Sequence, residues 1–254
     1  MKPSPKPLAV QLYSLRQRGE KDLFGVLKDV AAFGYAGVEF AGLYGNSPAA
    51  VRKVVDDLGL KVCSAHVPVP TRENLNELVD TAKSLGYTRL ISGKWIEAFA
   101  SVDAIKATAA EFRAGAEMLK PHGLRLGYHN HWVEVERHDG RLGMEWFSEF
   151  APDVFSEMDI YWASHFGDAD PAVAIRACID RVELLHVKDG PLTQGQPHTA
   201  VGDGKVDIAA CIAAADPGRL EWLIVELDEC ATDMTDAIKR SAQYLVKNGL
   251  AKGR

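Results

Sequence analysis

The sequence predicts a closed (β/α)8 barrel of the TIM type, eight parallel strands surrounded by outer helices. Three observations carry this reading. Helical and strand-like stretches alternate along the whole chain, the pattern of a parallel sheet covered by helices. The strand-like stretches number eight. Ionisable residues stand where several of them run out, at the edge where α/β barrels assemble their functional groups. At 254 residues the chain has the usual length for one such barrel, so it reads as a single domain over residues 1–254.

Taken in order, strands are expected near 8–12 (LAVQL), 36–40 (AGVEF), 60–65 (LKVCSA), 88–92 (TRLIS), 124–129 (LRLGYH), 154–159 (VFSEMD), 182–186 (VELLH) and 222–226 (WLIVE). These are near-continuous apolar runs, not strict alternations, as strands buried on both faces require. Between them lie helical patterns: DLFGVLKDVAAF, AAVRKVVDDL, NLNELVDTAKSL and VDAIKATAAEFRAGAEMLKPH. Each is followed by a glycine (Gly34, Gly59, Gly86, Gly123) placed for a left-handed C-cap, and the next strand begins directly after it. Ser47-Pro48, Thr71 with Asn74, Ser101-Val102-Asp103 and Asp170-Pro171 supply N-cap chemistry. The last helix, DMTDAIKRSAQYLVKNG, ends at Gly249. An open dinucleotide-binding sheet would show G-x-G-x-x-G after the first strand, and QLYSLRQRGEK does not.

Composition narrows the function. Hydrophobic residues at 47% and charged residues at 25% are ordinary for a globular chain. A net charge of −6 opposes a protein whose affinity comes from neutralising phosphates of nucleic acid. Cys63, Cys178, Cys211 and Cys230 show neither C-x-x-C spacing nor a disulfide framework, so they read as reduced core residues of a cytoplasmic protein. MKPSPKPLAVQ lacks the apolar core of a secretory signal, and no segment approaches the roughly 20 apolar residues of a membrane span.

The strand ends carry the chemistry. His129, His131 and Glu134 follow the fifth strand, Asp159 ends the sixth, His186 and Lys188 end the seventh, and Glu226 ends the eighth. Each of these has an ordinary structural explanation by itself. Together, at equivalent points of four successive strands, imidazoles and carboxylates point to one divalent metal ion, Mn, Zn, Co, Fe or Mg, because unpaired charge at a barrel end is costly. Gln11 and Tyr13 after the first strand and His66 after the third are expected to hydrogen-bond a substrate. Trp95 and Trp162 are expected as aromatic walls, and so are Tyr128 and Trp132. Lys188 suits a substrate oxygen that gains negative charge. The connection PLTQGQPHTAVGDGKVD contains Gly202, Gly204 and Lys205 in a phosphate-binding style of turn, but a plain turn is the simpler account, and no phosphorylated substrate follows from it.

With QLYSLR, GYAGVEFAG, GYHNHWVEVE, MDIYW, LLHVKDG, VGDGKVD and LIVELDE in this order, nearly the whole chain resembles the sugar phosphate isomerase/epimerase family. This is the xylose isomerase-like barrel superfamily, which also holds inosose dehydratases, ketose 3-epimerases, hydroxypyruvate isomerases and endonuclease IV. The resemblance implies a metal-dependent isomerase or epimerase acting through an enediolate on a ketose or keto-polyol. It implies a metal held by residues ending strands five to eight, which map to Asp159, His186 and Glu226 for the last three. For strand five, relatives carry a glutamate near the place of His129, and either His129 or Glu134 can serve; Glu134 is taken as the ligand, with His129 and His131 lining the substrate site. Glu134 and Glu226 are then the expected general bases, with Lys188 and His131 as proton donors. The runner-up activity is an inosose dehydratase-like lyase on the same metal, followed by a non-catalytic sugar-binding barrel. Cleavage of abasic DNA is disfavoured, because Trp162 stands three residues after Asp159 where a further histidine ligand is needed. The expected partner is a small sugar or polyol, with neither nucleic acid nor membrane, and homo-oligomers are compatible with the sequence.

Overall fold

The computed structural model describes residues 4–254. Eight parallel strands follow in chain order: β1 (Lys6–Gln11), β2 (Gly37–Phe40), β3 (Lys61–His66), β4 (Arg89–Ser92), β5 (Arg125–His129), β6 (Phe155–Asp159), β7 (Val182–Val187) and β8 (Trp222–Val225). Each neighbours the next, and β8 pairs in parallel with β1 through Leu8 opposite Leu223 and Val10 opposite Val225, which closes the barrel. Every strand lies within about two residues of its expected span, the usual uncertainty of an element boundary.

The principal helices form the outer ring: α1 (Arg16–Ala32), α2 (Pro48–Asp57), α3 (Leu75–Leu85), α4 (Val102–Leu119), α5 (Gly143–Phe150), α6 (Pro171–Ala177), α7 (Ile208–Ala214) and α8 (Met234–Lys247). Their starts follow the sequence. The side chains of Ser47, Ser101 and Asp170 accept from the backbone N–H of Ala50, Ala104 and Ala172. Asn74 precedes α3 but caps nothing in it; its Oδ1 accepts from Thr71 N instead. Gly86 and Gly123 sit at φ 75 and 70 after α3 and α4, a conformation other residues adopt only under strain. Two elements were not expected. A short hairpin pairs Arg137–His138 with Arg141–Leu142 before α5, and Ala251–Lys252 after Gly249 pairs in parallel with the start of β1.

Two apolar layers result. The larger lies between the strands and the helices. The smaller fills the barrel interior with Ala9, Cys63, Ile91, Phe155, Leu184 and Ile224. This plug is tight: a Cβ on Gly127 would lie 2.5 Å from the Phe155 ring and 2.9 Å from Ile91 Cδ1. Alanine there would overpack the interior, a defect that costs about 1–3 kcal/mol. The plug closes the base of the barrel, so the polar residues one layer above it can be reached only from the carboxyl ends of the strands. The four cysteines form no disulfide. Among the described residues no helix is long and apolar enough to cross a membrane.

Candidate active site

Above the apolar plug is a layer of charge. On four of the strands the side chain two residues beyond the plug points into the same interior: Ala9 leads to Gln11, Phe155 to Glu157, Leu184 to His186 and Ile224 to Glu226. Gly127 leads to His129 in the same way. The β2–β3 register shifts between Val38 and Glu39, which sets Glu39 opposite Ser64. Glu39, Glu157, Asp159, His186 and Lys188 are all fully buried.

His186 is the hub. Its Nδ1 lies 3.0 Å from Glu226 Oε2, and its Nε2 lies 2.7 Å from Glu39 Oε1 and 3.2 Å from Glu157 Oε2. Glu157 Oε2 also meets His66 Nε2 at 2.7 Å and His129 Nδ1 at 3.1 Å. Gln11 Nε2 and Ser64 Oγ donate to the two oxygens of Glu39 at 2.7 and 2.5 Å. Lys188 Nζ sits among three carboxylates: Asp228 at 2.7 Å, Glu226 at 3.0 Å and Asp159 at 3.1 Å.

Protonation follows from these neighbours. Burial raises Glu157 and Glu226, but the cations beside them outweigh it and hold both well below the usual carboxylate range: His186 and His66 for Glu157, Lys188 and His186 for Glu226. Burial likewise opposes charge on His66, and Glu39 and Glu157 overcome it, carrying the imidazole to about 10. His129 goes the other way, down to about 4, because burial dominates and His186 and His66 repel a further proton. Glu157 and Glu226 are thus ionised and His129 is neutral, the states that bind a divalent cation, whereas an ion on His186 would displace the proton that the carboxylates around it favour.

Donor atoms of His129, Asp159, His186 and Glu226 lie within 4.8 Å of one another, and so do those of His66, His129, Glu157 and His186. One buried carboxylate oxygen, Glu157 Oε1, has no hydrogen-bond partner, and Asp159 Oδ2 has only the Lys188 ammonium at 3.1 Å. Buried acceptors without donors are costly, and a cation between these groups would satisfy them. The residues thus fit a divalent ion.

Over this layer opens a cavity of about 600 Å³, within the range of small-molecule sites. His66, His129, His131, Glu226 and Asp228 line its polar side; Tyr13, Trp95, Trp132 and Trp162 form its apolar walls. Trp95 stacks on His131 with centroids 5.2 Å apart, and Lys188 Nζ lies 5.0 Å from the Trp162 ring centre.

The structure brings together most of the residues expected from the sequence and separates a few. Glu134 is not among them: it is fully buried outside the cavity, where its oxygens accept from Tyr128 Oη at 2.8 Å and His131 N at 2.9 Å. The expectation that Glu134 is a ligand and base does not fit this position, and His129 stands in the cluster in its place. Tyr128 is no wall of the mouth either; it alternates outward on β5 and packs on Phe99, Phe112 and Phe147. Gln11 is fully buried beneath the site, positioning Glu39 rather than facing a ligand. The Gly202–Lys205 turn is occupied by the chain itself: Asp189 accepts from the N–H of Gly190, Gly202, Gly204 and Val206. Sequence reasoning missed Glu39, Glu157 and His198, and noted Asp228 at the end of the last strand without giving it a role. For the first two a signal existed, since a glutamate inside an apolar strand, as in GVEF and FSEMD, has to find a partner.

The sequence profile of the xylose isomerase-like TIM barrel family matches residues 27–248. The chain belongs to that family. Among solved structures it is similar to a sugar phosphate isomerase/epimerase from Parabacteroides distasonis, at 25% identity over 98% of this chain and 96% of that one, with a TM-score of 0.77. It is similar in fold to a probable 3-DHS dehydratase involved in petrobactin synthesis from Bacillus anthracis, at 12% identity over 94% and 98% of the two chains and TM-score 0.75. The same holds for an L-ribulose 3-epimerase at 19% identity over 96% and 94%, TM-score 0.70. No functionally curated protein matches the sequence. The same fold is thus found in proteins described as a sugar phosphate isomerase/epimerase, an L-ribulose 3-epimerase and a probable dehydratase.

Proposed function

We propose that the chain is a divalent-metal-dependent isomerase or epimerase acting on a ketose or keto-polyol. The observation that carries this reading is the convergence of four successive strands on one point: His129, Asp159, His186 and Glu226 present donor atoms within 4.8 Å of each other at the floor of a cavity with aromatic walls. A divalent ion held by these residues would act as a Lewis acid toward adjacent carbonyl and hydroxyl oxygens of a sugar, making the neighbouring C–H acidic.

The chain's own groups then handle the proton. Glu226 borders the cavity and is ionised; its contacts to His186 and Lys188 fall on Oε2, leaving Oε1 to remove a proton from a bound molecule. Lys188, charged and fully buried beneath the cavity, acts through its neighbours: it pairs with Glu226 at 3.0 Å and Asp228 at 2.7 Å, holding both in place and Glu226 ionised. His66 stands three strands away round the barrel from Glu226. Glu39 and Glu157 keep it protonated, which suits it to return a proton from a different side. Removal and return from different sides inverts a stereocentre. The aromatic walls cover the sugar's C–H faces and exclude water.

A dehydratase on the same site is the second reading. His131 favours it: its imidazole lines the cavity against Trp95, within the space where a departing hydroxyl would need a proton donor. NMR of the products in heavy water separates the two, since an isomerase or epimerase gives exchange at carbon with the formula otherwise unchanged and a dehydratase gives a product lacking one water. The primary test is metal content by mass spectrometry for the wild type and His186→Ala. About one ion per chain, lost in the variant, is the expected result; no metal after reconstitution with each candidate ion would sink the proposal.

A further inference from the structure

The positions where a barrel ordinarily holds a substrate phosphate are, in this chain, filled by its own carboxylates. Barrel enzymes bind phosphate with the loops after strands seven and eight and with a helix N-terminus beside them, where backbone N–H groups and the helix dipole favour an anion. Here the loop after β7 folds four backbone N–H groups, those of Gly190, Gly202, Gly204 and Val206, around Asp189 at 2.8–3.1 Å. The α7 N-terminus is capped by Asp207, which accepts from Ala210 N at 2.9 Å. The α8 N-terminus is capped by Asp233, which accepts from Asp236 N at 2.8 Å, and Asp236 adds a second carboxylate to that first turn.

Side-chain cations near the cavity are already engaged: the His66 imidazole that lines it meets Glu157 at 2.7 Å and Glu39 at 3.3 Å. Among the described residues no arginine lines the cavity, and its single lining lysine, Lys94, is paired with Glu111 at 2.6 Å. Lys188 below is enclosed by three carboxylates. Arg16, just outside, stacks over Tyr13 and donates to the carbonyls of Tyr13 and Asp228. The mouth itself carries Glu226 and Asp228. What it offers a ligand away from the floor is aromatic: Tyr13, Trp95, Trp132 and Trp162. Such faces favour the apolar C–H surface of an uncharged ring or chain and give nothing to a dianion.

We infer that the substrate is an unphosphorylated, uncharged sugar or polyol, and that a phosphate ester of the same sugar is rejected. This inference rests on the sugar isomerase reading above. Like charges placed together across an interface are strongly unfavourable, and the filled N–H cradles remove the usual compensation.

Matched pairs test it: L-ribulose against L-ribulose 5-phosphate, and D-fructose against D-fructose 6-phosphate, each titrated into metal-loaded protein while tryptophan fluorescence is followed. Exchange of substrate hydrogen with heavy water is followed in parallel. The free sugar of at least one pair is expected to bind at least about tenfold tighter than its ester, with an affinity insensitive to salt, and to exchange. An ester that binds and exchanges as well as its free sugar overturns the substrate class while leaving the isomerase reading intact. If neither member of any pair binds or exchanges, the isomerase reading falls and this inference with it.

Discussion

The two ends of the barrel both bury carboxylates, and they treat them in opposite ways. At the base, Glu183 of β7 is saturated: Arg125 reaches its two oxygens with two guanidinium nitrogens at 2.7 and 2.5 Å, and Arg89 and Arg219 stand at 3.7 and 3.8 Å. At the mouth, Glu39, Glu157, Asp159, Glu226 and Asp228 crowd round a few cations, and Glu157 Oε1 is left without a hydrogen-bond partner. The forked pairing at the base is complete without any ligand. The mouth leaves Glu157 Oε1 unsatisfied by the chain itself, as expected where the proposed ion would sit.

The largest expected effect separates activity from stability at the mouth. Glu226→Gln keeps the shape of the side chain and removes the base, so turnover of the identified substrate should fall about 10²–10⁴-fold. Its thermal melt should stay near that of the wild type. Deuterium exchange and calorimetry on the same preparation check both, and unchanged exchange would remove Glu226 from the proposed role.

At the base the pattern should reverse. Glu183→Gln leaves Arg125 without its carboxylate, and a charge-assisted hydrogen-bonded pair of this kind contributes about 1.5–3 kcal/mol. Because Arg125 is 48% exposed and water can replace part of the contact, about 1–2 kcal/mol is expected in chemical denaturation. Turnover per folded molecule should be unchanged. A variant with wild-type stability would show that the arginine fork is ornamental.

Acid should find the mouth first. Burial, followed by the charge of Lys188, depresses His198 from its ordinary 6.5 to about 4. Its Nδ1 accepts from Asp228 N at 3.2 Å, and a proton there would abolish that acceptor. The folded state thus binds fewer protons than the unfolded chain between these values. His198 costs no stability above pH 6.5, and its penalty grows as pH falls toward about 4, where it is complete. Melting temperature against pH should decline across this window in the wild type and more shallowly in His198→Gln; parallel curves would refute the assignment.

The smallest effect sharpens the base. Arg219 approaches Glu183 only at 3.8 Å and is 42% exposed. Arg219→Ala should change stability by no more than about 0.5 kcal/mol, which would assign the stabilisation at this end to the Arg125 fork and not to the number of arginines.

Much of this was legible in the chain before any coordinates. The helix, glycine, strand unit recurs at Gly34, Gly59, Gly86 and Gly123, and those four residues do take positive φ. Asp159, His186, Lys188 and Glu226 stand out as charges that follow apolar runs, and they do converge. Glu134 illustrates the limit. Its place in the sequence, five residues past His129, suggests a reach back toward the metal, but the loop turns so that its carboxylate accepts from Tyr128 Oη and His131 N on the outer side of β5. Glu39 and Glu157 illustrate the converse: they lie within strands, so a search of strand ends passes over them.

What the sequence by itself determined is therefore local: which segments form strands and helices, about where each begins and ends, and which strands finish in imidazoles and carboxylates. These follow from backbone preference and from the period of apolar residues, both set by near neighbours. The tertiary structure alone decided which inward-facing groups meet. Glu39 and His186 are 147 residues apart in the chain and 2.7 Å apart in the fold, brought together by barrel closure and by the register shift between β2 and β3. The tertiary structure also decided that Asp189 fills the N–H cradle after β7. Such contacts depend on ring closure, strand stagger and the path of loops, which no short window of residues encodes.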